Sequence, residues 1–329
     1  MILDAPNLRN DFYLNLMDWS SNGLLAIALD QKVHLYTFQT GDIETLDICT
    51  NSNDYVTSVQ WAQEVPSDNK TCLLAIGTFF SEVQLWNVTT LTKLQSIQFQ
   101  CQRISSLAWN QHHLLASGCQ NASIQFTDFR CAQSLVQQVH CNPGEICGLK
   151  WSQDGDILAS GSHNHELCLY DHKMIRSNEF SLPIMRNQEH QGPIRALAWS
   201  PYNRYTLISG DGTLNGTLKL WRTSNGTLLH SVPTNAQVCA IAWSSTSHQV
   251  ISAHGHGQMS NQLVISNDST LQQIEQLQSH TARVLNVGIS PDGTTVASCS
   301  ADETLRFWKV FPLKRVSKQY LEFHLSVIR

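Results

Sequence analysis

The chain has little charge and no long apolar run. Only 14% of its 329 residues are Asp, Glu, Lys or Arg, and the formal net charge is −5. Proteins whose main partner is nucleic acid usually present a basic surface, so this balance argues against that class. No stretch approaches the roughly 18 apolar residues that a membrane-spanning helix needs. We therefore expect neither nucleic acid nor a membrane as a partner.

The sequence also lacks the features of an exported protein. Residues 1–16 contain no basic leader followed by a continuous apolar segment, so we expect no signal peptide. The ten cysteines show no paired spacing. Unpaired thiols on strands are typical of reduced proteins in the cytosol or nucleus, and we expect a nuclear and cytoplasmic location. The cysteines on predicted strands are Cys119, Cys147, Cys168, Cys239 and Cys299.

Signatures of catalysis are missing as well. The chain has no Walker, GxGxxG or GxSxG motif in a context that would support it. His248, His254 and His256 have no acidic or cysteine partner at metal-ligand spacing, and we interpret this segment as a polar turn. We expect no enzyme, no cofactor and no metal site, so that the function must come from binding.

The sequence does contain one unit that is repeated seven times. A tryptophan ends a short apolar strand at intervals of 42 to 48 residues, and an isoleucine takes the seventh place. Two more apolar strands follow each marker, separated by Gly, Asn, Asp and Ser. A period of about 40–45 residues with several strands per repeat is typical of propeller blades. The markers are Trp19, Trp61, Trp109, Trp151, Trp199, Trp243 and Ile289.

The last unit, residues 280–308, indicates how such a blade is held together. Its serine precedes its aspartate by four residues, and the aspartate precedes the final tryptophan by six. In a four-stranded blade this spacing allows a buried chain of hydrogen bonds in which each polar group has a partner. The unit is the WD repeat. The predicted structural tetrad is His280, Ser298, Asp302 and Trp308.

These repeats predict an all-β protein, a seven-bladed WD-repeat β-propeller. The propeller would span residues 1–310, and residues 311–329 would form a C-terminal tail. Propellers leave no long strand edge exposed, so one terminus must complete a blade. Either residues 1–6 or residues 313–318 could do so. Few other blades keep tetrad residues: blade five has His190, Ser209 and Trp221, and blade four has His140, Ser160 and Tyr170.

Several segments carry a family resemblance. They include LDAP and DFYLNL near the N-terminus, SEVQLW, EICGLKWSQDG, HQGPIRALAWSP and HTARVLNVGISPDGTTVAS, and a C-terminal Ile-Arg. With them the chain resembles, over essentially its whole length, the Fizzy and Fizzy-related (cell division cycle) family. Its members are WD-repeat coactivators of the anaphase-promoting complex (cyclosome), a ubiquitin ligase. The resemblance does not separate the Fizzy from the Fizzy-related branch.

The resemblance implies a role in the cell cycle. Family members bind degrons of cell-cycle proteins and promote their ubiquitin-dependent degradation in mitosis, without being enzymes themselves. Implied partners are degron-bearing substrates such as cyclins and securin, and spindle-checkpoint inhibitors. Ile328 and Arg329 match the family tail that docks into a tetratricopeptide-repeat subunit of the ligase. There the charged terminus would give specific capture, with Ile328 as an apolar anchor.

A destruction-box site (Arg-x-x-Leu) is implied between the first and last blades. Asp4 and Glu303 match the acids that would pair with the arginine of the degron. Leu3 and Pro6 would line the pocket for its leucine. An arginine–carboxylate pair gives direction and an apolar pocket gives contact area. Without the resemblance, both acids would be interpreted as solvated rim residues.

A KEN-box site (Lys-Glu-Asn) is implied on the top face. Asp11 would meet the lysine and Arg283 the glutamate, while Thr213 and Gln237 would supply neutral hydrogen bonds. The remaining implied positions depart from the family, whose members commonly have asparagines on blade four. Histidine offers fewer simultaneous donors and acceptors than asparagine, so KEN-box recognition is predicted to be less secure. These two residues are His163 and His165.

A second departure concerns the C box, the family motif that activates the ligase. No segment of the 329 residues resembles it, and the chain begins at Met1-Ile2-Leu3 directly before the propeller. Two alternatives to the coactivator therefore stay open. One is a degron-binding paralogue that does not activate the ligase, and the other is a general WD-repeat interaction scaffold.

Overall fold

The computed structural model contains seven four-stranded antiparallel sheets, which confirms the predicted all-β, seven-bladed propeller. The first strands of neighbouring blades contact one another and surround a central channel. The structure describes residues 1–62, 72–111, 113–131, 135–140, 144–176, 182–258, 261–278 and 280–312.

The chain starts with the short strand β1 (Ile2–Asp4) and then builds blades one to three in order. Blade one contains β2 (Met17–Trp19), β3 (Leu24–Leu29), β4 (Lys32–Thr37) and β5 (Ile43–Asp47). Blade two contains β6 (Val56–Trp61), β7 (Leu73–Thr78), β8 (Glu82–Asn87) and β9 (Thr92–Gln98). Blade three contains β10 (Ile104–Trp109), β11 (Leu114–Cys119), β12 (Ser123–Asp128) and β13 (Leu135–His140).

Blades four to six follow the same order, with one short helix inserted in blade four. Blade four contains β14 (Ile146–Trp151), β15 (Ile157–Ser162), β16 (Leu167–Asp171), the helix α1 (His172–Arg176) and β17 (Met185–Asn187). Blade five contains β18 (Ile194–Trp199), β19 (Thr206–Asp211), β20 (Thr217–Arg222) and β21 (Thr227–Pro233). Blade six contains β22 (Ala236–Trp243), β23 (Gln249–Gly257), β24 (Gln262–Asn267) and β25 (Gln273–Gln278).

Blade seven takes its outer strand from the other end of the chain. Three of its strands are β26 (Val284–Ile289), β27 (Thr295–Ser300) and β28 (Thr304–Lys309). The fourth is β1, which pairs antiparallel with β28 so that Leu3 lies opposite Leu305. Of the two predicted closures, the structure therefore shows the N-terminal one, and residues 313–318 lie outside the described residues.

The core lies within and between the blades. All six residues of β11 are buried, as are those of β10 and β12 on either side of it. Outer strands such as β5 and β9 expose most of their side chains. A strand that is covered on both faces carries apolar or small side chains at consecutive positions, which explains the sequence LLASGC of β11. The core therefore extends around the ring.

The predicted tetrad of the last blade is confirmed. His280 Nδ1 lies 3.0 Å from Asp302 Oδ2, and its Nε2 lies 2.8 Å from Ser298 Oγ. Trp308 Nε1 donates to the same serine oxygen at 2.9 Å. Burial lowers the pKa of His280, while hydrogen bonds from its neighbours lower the pKa of Asp302 to about 2 against the opposing effect of desolvation. The pair thus combines a neutral histidine with an ionised aspartate at neutral pH.

Blade five repeats this arrangement, but blade four does not. His190 binds Asp211 at 3.0 Å and Ser209 at 2.6 Å, and Trp221 donates to Ser209 at 2.8 Å. His140, which was expected to serve blade four, is exposed at the end of β13. The expectation that His140 belongs to a tetrad of blade four was therefore wrong. An exposed imidazole can form hydrogen bonds with water and does not need buried partners.

The histidine segment of blade six is a buried strand over part of its length, and not a polar turn as predicted. His254 lies in the nine-residue strand β23, is 1% exposed, and approaches Ser252 Oγ to 2.8 Å through Nε2. His256 is exposed near the end of that strand. β23 pairs with β22 on one side and β24 on the other, and six consecutive residues that include His254 are buried, as in a strand covered on both faces.

The described cysteines are free, in agreement with the prediction. The five that were placed on strands are all buried. Within the described ranges no cluster of three or more His, Cys, Asp and Glu side chains could hold a metal ion. No helix in the same part of the chain is long and apolar enough to cross a bilayer.

Candidate functional site

A groove of about 410 Å³ runs along the seam between blades seven and one. The segment that begins with β1 forms one wall, and the hairpin of β3 and β4 forms the other. A groove lined by apolar side chains together with charged and polar ones suits an extended peptide. The lining residues are Leu3, Asp4, Ala5, Pro6, Asn7, Ile27, Leu29, Asp30, Gln31, Lys32, His34, Tyr36, Ile43 and Leu305.

Three of the four predicted destruction-box residues line this groove. Asp4 and Pro6 are exposed, and Leu3 is half-buried. Glu303 is not among the residues that line the groove. Its carbonyl accepts a hydrogen bond from Ala5 N at 2.7 Å, so its backbone lies beside the wall formed by β1, and its side chain is exposed. The structure thus places Asp4 in the groove and the backbone of Glu303 next to one of its walls.

Sequence reasoning missed the wall that blade one contributes. Lys32, His34 and Tyr36 alternate along β4 and face the groove, and the exposed Ile43 extends the apolar surface. Burial and the neighbouring Lys32 lower the pKa of His34, which favours a neutral imidazole. The period-two alternation of KVHLY was the available signal, since it puts these side chains on one face of the strand.

After β1, residues 7–15 cross one face of the ring. We call this the top face and residues 7–15 the top-face segment. Asn15 Nδ2 donates to Ser105 O at 2.7 Å and Cys147 O at 3.2 Å. Arg283 donates to both oxygens of Asn10, with Nη2 2.5 Å from its carbonyl. These bonds fix this top-face segment to blades three, four and seven.

The predicted KEN-box residues surround the top-face segment, and most are already bonded within the chain. Asp11 Oδ2 binds Arg103 Nη1 at 3.0 Å. A lysine would have to share that carboxylate or displace the arginine. The other positions are bonded as follows: His163 to Tyr13 at 2.8 Å, Thr213 to Asp211 at 2.7 Å, Gln237 to Gly212 O at 3.0 Å and Arg283 to Asn10, while His165 is exposed.

Arg103 is a top-face residue that sequence reasoning missed. Its guanidinium binds both oxygens of Glu145, at 2.6 and 2.8 Å, in addition to Asp11. Burial opposes its charge, but the hydrogen bonds and charge of Glu145 outweigh that and raise the pKa of Arg103. Burial also raises the pKa of Tyr13 to about 12, so its phenol keeps the proton and can donate to His163. No local motif marks a pair 42 residues apart.

The predicted docking residues Ile328 and Arg329 lie outside the described residues.

Comparison with known proteins identifies the family. The model of the CDC20/Fizzy WD40 domain matches residues 3–308. The chain belongs to the CDC20/Fizzy family. The match begins at Leu3 in β1 and ends at Trp308 in β28, so it includes most of the strand that closes the ring and extends through all seven blades.

Curated members of the family are similar over nearly the whole chain. The chain is 40% identical over 310 residues to the anaphase-promoting complex subunit cdc20 of Dictyostelium discoideum, which covers 94% of the chain and 60% of that relative. It is 38% identical over 338 residues to cell division cycle 20.5, cofactor of APC complex, of Arabidopsis thaliana, covering 73% of that relative. The chain thus spans about three-fifths to three-quarters of the length of these relatives.

A solved structure confirms the propeller. A chain in the crystal structure of a mitotic checkpoint complex superposes with a TM-score of 0.87 at 30% identity, covering 95% of this chain and 91% of that one. The arrangement of the seven blades is therefore shared with that chain.

Proposed function

We propose that this chain is a substrate-recognition coactivator of the anaphase-promoting complex that binds destruction-box degrons in the groove between blades seven and one. The observation that carries the proposal is the position of Asp4 and Glu303. Both side chains are exposed, Asp4 lines the groove, and the carbonyl of Glu303 is bonded to Ala5, another lining residue, in a member of the CDC20/Fizzy family. Relatives with this propeller are named as subunits or cofactors of that complex.

The groove would read the degron through charge and area. The guanidinium of the arginine would pair with the acids at one end, since charge-assisted hydrogen bonds to carboxylates are strong and directional. The leucine, three residues further along an extended peptide, would lie against Leu3 and Pro6. The chain would contribute no bond-making step, and the ligase would gain rate from a substrate that is held nearby.

Further parts of the assembly rest on the same proposal. The top face would bind KEN-box degrons with Asp11 and Arg283 only if these side chains exchange their present partners, Arg103 and Asn10. The Ile328-Arg329 terminus would dock on a tetratricopeptide-repeat subunit of the ligase. Cyclins, securin and spindle-checkpoint inhibitors are the proposed partners, and the nucleus and cytoplasm the proposed location.

A reconstituted ubiquitylation assay tests the coactivator role. Purified anaphase-promoting complex and a destruction-box substrate would be incubated with and without the chain, and with an Asp4→Asn/Glu303→Gln variant. We expect stimulation by the unmodified chain and little by the variant. If the chain binds the substrate but gives no stimulation, it is a non-activating member of the family. If it neither binds nor stimulates, the degron proposal is wrong and a general scaffold is favoured.

A further inference from the structure

The central channel contains a buried arginine that forms no ion pair with any acid among the described residues. Arg195 lies in β18 and is 4% exposed. Its Nη1 donates to the carbonyls of Cys239 at 2.9 Å and Leu285 at 2.6 Å. Its Nη2 donates to the Leu14 carbonyl and to the side-chain oxygen of Asn286. All four acceptors are neutral, so none of them balances the positive charge.

The acid whose charge acts on Arg195 is already bonded to another arginine. Asp11 acts on Arg195 through its charge, but its carboxylate is bonded to Arg103. Transferring an ion into a protein interior is costly unless a charge of opposite sign accompanies it. Arg195 therefore lacks a bonded counter-ion within the part of the chain that the structure describes.

Two donors remain free beside this charge. Arg195 Nε and Asn286 Nδ2 are buried and have no hydrogen-bond partner among the described residues. Both residues line a cavity of about 110 Å³ that the first strands of all seven blades surround. The Asn286 amide also lies close to the Cys299 thiol, which is only a weak acceptor. The two N–H groups that can still donate a hydrogen bond therefore belong to residues of the channel wall.

The other charged groups of the channel leave it net positive. Lys150 and Asp18 also line the cavity. Asp18 Oδ2 accepts hydrogen bonds from Trp61 N at 2.8 Å and Gln60 Nε2 at 2.6 Å, so this carboxylate is held by blade two. A water molecule needs roughly 10–15 Å³ of such a cavity, so the space admits an ion together with several waters.

We propose that the central channel binds a small inorganic anion of halide size, held by Arg195 Nε and Asn286 Nδ2. The anion supplies the negative charge that the neutral acceptors lack, and it accepts a hydrogen bond from each of the two free donors. It also has a structural consequence. Arg195 joins Leu14 of the top-face segment to blades six and seven, so a bound anion stabilises the segment that carries Asp11.

Bromide is the probe for a solution test on the full chain. Thermal unfolding would be followed in sodium bromide and, at the same ionic strength, in sodium isethionate. The isethionate anion is large and organic, so this salt serves as the control. We expect the melting temperature to rise by about 2 °C for each tenfold increase in bromide above its dissociation constant. Asn286→Asp places a carboxylate beside Arg195 and should remove this dependence. Asn225→Asp, at an exposed turn, should keep it.

Crystals grown in bromide provide a second readout that does not depend on a variant that folds. We expect an anomalous difference peak in the channel within hydrogen-bonding reach of Arg195 Nε. Equal melting in the two salts together with no such peak would overturn the proposal, because the donors would then bind only water. A bromide dependence that Asn286→Asp leaves unchanged would also contradict it, since the stabilising ion would bind elsewhere.

Discussion

One serine makes two bonds in blade seven, and its counterpart makes none in blade three. Ser298 Oγ binds His280 and Trp308, which joins the connection before β26 to β28 through β27. Ser117 occupies the same position along β11, and its buried hydroxyl has no partner among the described residues. Removing a hydroxyl should therefore have opposite consequences at the two sites.

Ser298→Ala should lower the free energy of unfolding by about 3 kcal/mol. The substitution leaves the imidazole of His280 and the indole of Trp308 without their shared partner, and a buried unpaired polar group costs about 1–3 kcal/mol. Ser117→Ala is the matched control, and it should be neutral or slightly stabilising. Denaturant unfolding of both variants measures the difference. Equal losses would show that the hydrogen-bonded chain does not stabilise blade seven.

His254 should make stability depend on pH. Burial lowers its pKa to about 4, and an unfolded histidine titrates near 6.5. Because the folded pKa is depressed, the unfolded state binds the proton first. Stability is therefore lost as the pH falls from about 6.5 to 4, by up to roughly 3 kcal/mol. Above pH 7 the neutral side chain contributes no such dependence.

Comparison of two histidine variants isolates this contribution. His254→Asn should reduce the change in unfolding free energy between pH 7 and pH 4, while the buried His190 and His280 keep their own contributions of the same sign. His248→Asn, at an exposed position, should leave most of it in place. Both variants retain Asp18, whose pKa burial raises to about 6 and whose contribution has the opposite sign. A pH profile that is the same for both variants would contradict the assignment.

Neighbouring blades approach each other at glycines in their second strands. A Cβ on Gly118 in β11 would meet Ser106 Oγ and, at 2.8 Å, the Cγ2 atom of Ile146 at the start of blade four. Glycine inside a strand commonly marks such a close approach. The isoleucine that begins one blade therefore packs directly on the backbone of the blade before it.

Gly118→Ala should destabilise the protein by about 1–3 kcal/mol, because overpacking forces neighbours out of place. Gly288→Ala in β26 is a suitable control, since a Cβ there would meet its nearest neighbour, Met17 Cε, at an ordinary 3.7 Å. Thermal and denaturant unfolding of the two variants would give the comparison. If the Gly118→Ala variant is as stable as the control, Ile146 can move away from the added methyl group without loss of unfolding free energy, and the close contact between the blades is not needed for stability.

The strands were predictable because their signals are local. Trp61, Trp109 and Trp151 end the first strands of their blades as expected. The closure was not decided by sequence, because β1 is only three residues long and owes its position to pairing with β28. The helix α1 was missed for a similar reason, since five residues give too short a period to recognise.

The candidate site was predictable only in part. The family resemblance pointed to Asp4 and Glu303. The structure places Asp4 in the groove lining and bonds the backbone of Glu303 to Ala5 beside it, and their role in degron binding stays a prediction. The wall formed by Lys32 and His34 depends on how blade one packs beside β1, which no local pattern contains. The bond between Asp11 and Arg103 joins residues 92 positions apart and appears only when the ring closes.

At the scale of the whole molecule, one N-terminal stretch connects the functional parts. Residues 1–16 supply the closing strand, a wall of the groove and the top-face segment, and they reach the central channel through Leu14. Closure, the groove and the predicted top-face site therefore depend on one stretch of chain. Changes that loosen it should affect degron binding and stability together.

Binding of a labelled Arg-x-x-Leu peptide, followed by fluorescence anisotropy, tests the central claim most directly. Asp4→Asn/Glu303→Gln should weaken binding at least about tenfold, since a hydrogen bond to a charged group contributes about 1.5–3 kcal/mol. Asp42→Asn/Glu44→Gln removes two exposed acids of blade one and should bind as the unmodified chain does. A peptide with alanine in place of arginine and leucine should not bind. Equal affinity of the Asp4/Glu303 variant and the unmodified chain would contradict the account, and the groove between blades seven and one would not be the degron site.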